Sequence, residues 1–226
     1  MKYRRFGKTG LDLPVISCGC MRFQYGWEDN DIHSPESDRN VADCVHRALE
    51  LGINHIETAR GYGTSEAQLG KVLPSIPRDR YLLQTKIGPN HNVALFVEQF
   101  ETSMRKLGAE YLDLMSFHGI NNDDTLEATW KCLGTARAWQ REGRVRHIGF
   151  ATHACLPGDG RAIDDAPMIK AIRSGEFAYV NLHWFYIQQN NWPAVLEARA
   201  QDMGVFIISP NDRSEEHTSE LQSRQS

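Results

Sequence analysis

YLLQTKIGPNHNVALFVEQFETSMRKLGAEYLDLMSFH, residues 81–118, holds two short apolar runs separated by one amphipathic stretch. The runs at 81–86 and 111–117 have the length and composition of buried strands. Between them Val93, Phe96, Val97, Phe100, Met104 and Leu107 recur at helical spacing, and Gly108 is placed to end the helix. The stretch therefore reads as a strand, a helix and a second strand, a unit that builds parallel sheets.

The same alternation extends in both directions. Further strands are expected at 15–18, 53–57, 147–152, 179–183 and 205–209, which makes seven. Val41, Val45, Ala48 and Leu49 share one helical face, with Ser37 or Asp38 as N-cap and Gly52 just past the end. Leu126, Trp130 and Leu133 begin another helix that stops before Gly143. Ahead of the first strand, residues 3–6 and 11–13 around Lys8-Thr9-Gly10 read as a β-hairpin that plugs one end of the sheet. A doubly wound open sheet is the competing architecture, but it is marked by a GxGxxG turn after its first strand, and the sequence has none. The expected fold is an α/β TIM (β/α)8 barrel.

The 226 residues, 41% hydrophobic and 24% charged, suit one globular core. The net charge of −4 comes with lysines and arginines scattered among acids, which excludes a surface for nucleic acid. With no apolar run long enough to cross a membrane, the chain is expected to be cytoplasmic and to have no membrane partner. Five cysteines without a CxxC pair fit reduced thiols. Cys18 and Cys20 lack the second pair that a zinc clip needs, so no metal is expected.

Glu57, Lys86 and His118 each fall at or just past the carboxyl end of a different apolar run, where barrel enzymes assemble their sites. Tyr62 follows Glu57 in a Gly-Tyr-Gly turn. A phenol titrating near ~10, an ammonium, a carboxylate and an imidazole suit carbonyl chemistry. The ammonium favours the phenolate and is expected to lower the tyrosine pKa, while the carboxylate holds the lysine charged. Taken singly, each residue has a plainer role: a barrel-end ion pair, a structural histidine, a tyrosine covering apolar surface. Their convergence carries the functional reading. Met21, Phe23 and Trp27, after the first strand, either wall an apolar substrate pocket or simply cover the rim. Trp184 and Tyr186 read as packing residues.

INHIETARGYGTSE at 53–66 resembles the motif of the aldo-keto reductases, in which a strand-end carboxylate precedes the catalytic tyrosine by five residues. YLLQTK ending at Lys86, YLDLMSFH ending at His118 and GRVRHIGFATH at 143–153 are similar as well, and the likeness runs from about residue 2 to 212. It implies a barrel that reduces aldehydes or ketones with NADP(H), NAD(H) being the alternative, by hydride transfer to a small carbonyl substrate. Tyr62 would be the general acid, Lys86 would tune it, Glu57 would anchor Lys86 and His118 would orient the carbonyl. Thr152 and Asn181 would hold the nicotinamide amide, with Ser209 near the phosphates. The sequence departs from the pattern at Glu57, where relatives carry aspartate and the extra methylene adds about 1.5 Å of reach. It departs also at Ala151, in place of a serine, and at Ile208, in place of an aromatic ring. A cofactor-binding subunit with altered catalysis is the alternative function. A Schiff-base lysine enzyme is disfavoured by the carboxylate beside Lys86.

RSEEHTSELQSRQS, 213–226, has neither periodicity nor a partner element, and is similar to a translated sequencing-library adapter. The expected organisation is a partial barrel at 1–212, lacking the eighth strand and last helices, followed by a non-native tail at 213–226.

Overall fold

The computed structural model describes residues 1–23, 28, 32–156, 163–184 and 189–209. The expected tail, together with Trp27 and Tyr186, lies outside them. Nine strands are described: β1 Tyr3–Arg5, β2 Asp12–Pro14, β3 Cys18–Gly19, β4 His55–Glu57, β5 Leu82–Ile87, β6 Leu112–His118, β7 Val145–Thr152, β8 Tyr179–Leu182 and β9 Gly204–Ile207. The helices are α1 Pro35–Glu50, α2 Ser65–Val72, α3 Val93–Leu107, α4 Asp123–Arg141, α5 Pro167–Arg173 and α6 Trp192–Ala200. Strands β3 to β9 pair in sequence order, all parallel, as one curled sheet, and β1 pairs antiparallel with β2. This is the expected barrel, incomplete: no described strand bridges β3 and β9.

All seven barrel strands are found, with shifted ends. The first is the largest correction. Val15 and Ile16, β-branched and therefore strand-like in sequence, are 55% and 59% exposed, and only Cys18 and Gly19 pair with β4. The N-cap of α1 also moves. Ser34 accepts the amide of Ser37 at 3.1 Å, and Pro35 takes the first helical position, where its missing N–H costs nothing. Helix α3 ends as read, with Gly108 left-handed at φ 61°. Its inner face carries Phe96 and Phe100 onto Trp139 of α4, at centroid distances of 5.3 and 3.7 Å.

The hairpin does plug the barrel's amino end. Phe6 and Leu13 pack with Leu114 and Tyr179, and the Phe6 ring lies 5.5 Å from that of Tyr179. Gly7 permits the approach: its φ is 54°, and a Cβ there would lie 2.3 Å from the Gly204 nitrogen. Arg5 completes the clasp on Asp202 with paired hydrogen bonds of 2.8 and 2.5 Å.

Candidate active site

At the opposite end, the loop between β4 and α2 is held on β5 by backbone bonds. Thr58 donates to the Gln84 carbonyl at 2.9 Å and Arg60 to that of Lys86 at 2.8 Å. The turn that follows, with Gly63 at φ 52°, lifts Tyr62 over the end of β5. Behind it lies a buried polar brace. Glu66 accepts from Arg60 at 2.5 Å, Thr85 at 2.7 Å and Ser103 at 3.1 Å. The carboxylate therefore ties α2, α3 and β5 to the loop that carries the tyrosine.

Lys86, 1% exposed, forms an ion pair with Glu57 and donates to the Thr58 carbonyl at 3.3 Å and to the Tyr62 hydroxyl at 2.8 Å. The longer glutamate, at the position where relatives carry aspartate, reaches Lys86. The nitrogen thus stands between a carboxylate, a backbone carbonyl and the phenol oxygen. The His118 ring meets that of Tyr62 edge-on, with centroids 5.9 Å apart. All four residues named from sequence therefore meet at one rim.

Their titration corrects two expectations, the lowered phenol and the lysine held charged by its carboxylate. Burial pushes the Tyr62 phenol up to about 12, with the Cys20 thiol acting in the same direction. Desolvation of a phenolate opposes and exceeds the help of the ammonium. Burial likewise pulls Lys86 down to about 7. It pulls His118 down to about 3, with Lys86 and His153 adding to the effect, so this imidazole is neutral at physiological pH.

The three cofactor candidates differ in environment. Asn181 is fully buried on β8, and both atoms of its side-chain amide lack a hydrogen-bond partner. A primary carboxamide offers the complementary donor and acceptor, so the site fits a nicotinamide ring at this position. The Thr152 hydroxyl is occupied within the protein, donating to Asn121 Oδ1 at 3.3 Å and accepting from the Ala154 amide at 3.1 Å. Ser209 is exposed just past β9 with a left-handed φ of 48°. Of the apolar candidates, Met21 and Phe23 form a 3-10 turn after β3, and Phe23 packs on the main core. Trp184 is a packing residue, its ring 5.3 Å from Trp192. Among the described residues no group of three or more His, Cys, Asp or Glu could hold a metal, and no helix is long and apolar enough to cross a membrane.

Sequence reasoning missed the Glu66 brace, the closeness of Cys20, and two histidines, His153 and His183, that continue the rim. The histidines had a legible signal, since each follows directly on an apolar strand.

Residues 15–156 match the sequence profile of the aldo/keto reductase family. L-glyceraldehyde 3-phosphate reductase of Escherichia coli (strain K12) is 25% identical over 171 residues, covering 68% of this chain and 46% of that protein. The NAD/NADP-dependent indole-3-acetaldehyde reductase of Schizosaccharomyces pombe is 34% identical over 148 residues, covering 63% and 48%. The chain thus spans about half the length of the curated relatives it matches. Among solved structures, a Pseudomonas aeruginosa protein assigned to the aldo-keto reductases superposes with a TM-score of 0.75 at 25% identity, covering 91% of this chain and 76% of that one. An aldo/keto reductase from Klebsiella pneumoniae, in complex with NADP and acetate, shares the fold at a TM-score of 0.70 and 20% identity, covering 94% and 69%. Profile, relatives and fold agree with the geometry of the rim, and the chain belongs to the aldo/keto reductase family.

Proposed function

We propose that this chain carries the proton-donating site of a nicotinamide-dependent reductase that converts aldehydes or ketones to alcohols, with NADP(H) as the cofactor and NAD(H) as the alternative. The observation that carries the reading is the direction of one hydrogen bond: Lys86 donates to the Tyr62 oxygen at 2.8 Å. That bond uses an acceptor site on the phenol and leaves the phenol's own O–H to donate elsewhere. With its pKa raised to about 12, Tyr62 keeps its proton at neutral pH and delivers it only to a stronger base. An alkoxide forming on a carbonyl oxygen is such a base.

A bound nicotinamide cofactor supplies the hydride. The chain's own residues do the rest. Neutral His118 donates an N–H to the carbonyl oxygen and orients it beside Tyr62. Tyr62 gives that oxygen its proton, and the resulting phenolate is stabilised by Lys86 until water returns the proton. Glu57 holds Lys86 in place. Asn181 pairs with the nicotinamide amide, and Ser209 stands on the side of the phosphates. Two names support the cofactor: the Klebsiella structure holds NADP, and the yeast relative is called NAD/NADP-dependent. Met21, Phe23 and Trp27 are the proposed substrate contacts.

The test is reduction of benzaldehyde by NADPH, comparing the chain with its Tyr62→Phe variant. Loss of the general acid is expected to slow turnover about 10²–10⁴-fold, while cofactor binding, followed by quenching of protein fluorescence, persists. Equal turnover by the variant would remove Tyr62 from this role. A chain that binds NADPH and reduces nothing would leave a binding subunit as the better description.

A further inference from the structure

Cys18-Gly19-Cys20, too sparse for a metal clip, adjoins the residue that anchors Lys86. Cys18 and Gly19 are the whole of β3 and pair with Ile56 and Glu57 of β4. The Cys20 amide donates to the Glu57 carbonyl at 2.8 Å, and the Cys20 carbonyl accepts from Ser65 Oγ at 2.9 Å. Ser65 in turn donates its own amide to the Tyr62 carbonyl at 3.0 Å. A displacement of Cys20 is therefore carried along two hydrogen-bonded paths, one to Glu57 and one to the turn that holds Tyr62.

Side chains two apart on extended backbone share a face, which brings the two thiols together. Cys20, fully buried, donates its thiol to the Cys18 carbonyl at 3.3 Å. The same thiol hydrogen-bonds to the sulfur of Cys18 and holds it below the usual thiol range, while burial pushes Cys20 up. Cys18 is only half-buried, whereas Cys20 is sealed. The pair thus sets an accessible sulfur that ionises readily beside a covered one that stays protonated. That is the division between an attacking and a resolving thiol. Cys44, exposed on α1, also acts on Cys20 and is the competing partner.

We propose that Cys18 and Cys20 form a peroxide-reactive dithiol whose closure into a disulfide disconnects Glu57, Lys86 and Tyr62. The Cys18 thiolate attacks the outer oxygen of a hydroperoxide, the O–O bond breaks, and the other oxygen leaves as an alcohol, or as water from hydrogen peroxide, after taking up a proton. The Cys20 sulfur then attacks the sulfenic acid so formed. Its S–O bond breaks, the S–S bond forms, and the Cys20 proton leaves with the hydroxide as water. The sulfurs are oxidised and the peroxide is reduced. Residues two apart on a parallel strand lie about 6.6 Å apart along the chain, near the upper end of the about 4.4–6.8 Å that a disulfide spans between α-carbons. Closure therefore draws Cys20 toward Cys18 and off the Glu57 carbonyl. A bridge under such tension is readily reduced, which makes the step reversible by a dithiol. Its consequence for turnover rests on the reductase reading of Tyr62; the chemistry of the thiols does not.

The test treats the whole chain with hydrogen peroxide, then unfolds it in urea with iodoacetamide to block the remaining thiols. Trypsin releases both cysteines on one peptide, residues 9–22. That peptide is expected to escape alkylation and to be lighter by two hydrogens, while Cys44 and Cys132 are alkylated. Dithiothreitol added before the block is expected to restore both alkylations. Amide hydrogen exchange in the bridged chain is expected to rise about tenfold or more at Cys20 and across residues 58–65. Reduction of benzaldehyde is expected to fall about tenfold or more, as for a small misplacement of reacting groups. Cys18→Ser should keep the basal rate and lose the peroxide response. Alkylation of both thiols after peroxide, or a bridge from either one to Cys44, would overturn the proposal. So would unchanged exchange at 58–65, or unchanged turnover, in a bridged chain. Peptide mass and exchange are read without turnover, so a chain that fails the Tyr62→Phe experiment still decides the fate of the dithiol.

Discussion

The two ends of the sheet treat buried charge differently. At the amino end, Asp113 of β6 is fully buried and fully partnered: Arg78 at 2.6 Å and the Leu83 amide at 2.9 Å meet one oxygen, and Arg146 at 2.9 Å meets the other. The two guanidinium groups also flank the Tyr111 ring, 3.9 and 4.4 Å from its centre. At the carboxyl end, Lys86 and Glu57 are paired, but Asn181 and the rings of His118 and His153 offer polar atoms that no described group meets. A polar cluster that completes itself holds structure, and one that stays incomplete is shaped for something outside the chain.

After the loss expected for Tyr62→Phe, the largest break in this contrast should come from Asn181→Leu. The substitution removes two unsatisfied buried groups, so thermal stability should hold or rise by about 1–2 kcal/mol, while affinity for NADP⁺ falls about tenfold or more. Calorimetry and cofactor titration on the same sample would check both halves; a drop in stability would mean that Asn181 is structural. The converse experiment is Asp113→Asn at the sealed end. Because Arg78 and Arg146 are 25% and 50% exposed and can rehydrate, the cost should be about 1–3 kcal/mol in urea unfolding, with kcat unchanged.

The smallest effect is on pH dependence. Burial pulls His55 down to about 4 and His118 to about 3, against 6.5 for a free histidine. Between those values the unfolded chain binds more protons than the folded one, so stability falls as pH drops below 6.5. Each of these histidines should contribute a loss of about 0.7 kcal/mol between pH 7 and 6, and His55→Gln should reduce the slope of the urea midpoint by that share.

Much of this was legible in the sequence because its signals were local. Strand-length apolar runs gave the barrel order, and the five-residue spacing of Glu57 and Tyr62 placed the acid beside the base of β5. The N-cap of α1 was misplaced because Pro35 at the first helical position is a stronger start signal than the serine and aspartate further in. Val15 and Ile16 were misread as strand because β-branched residues signal β geometry without saying whether a partner strand is present. Helices α2, α5 and α6, only 8, 7 and 9 residues long, left too short a period to mark. The direction of the Tyr62 shift was not legible at all. It depends on how much water the folded chain removes from the phenol, a property of packing and not of spacing.

The clasp between the hairpin and β9 also bears on how the chain is made. Arg5 and Asp202 are 197 positions apart, so a ribosome exposes the first partner long before the second exists. Phe6 and its neighbours must wait, uncovered, while every strand between them is synthesised. This step closes the longest loop among the contacts described above and belongs late in folding. During translation the plug residues at the amino terminus are therefore the apolar surface most in need of a chaperone's cover.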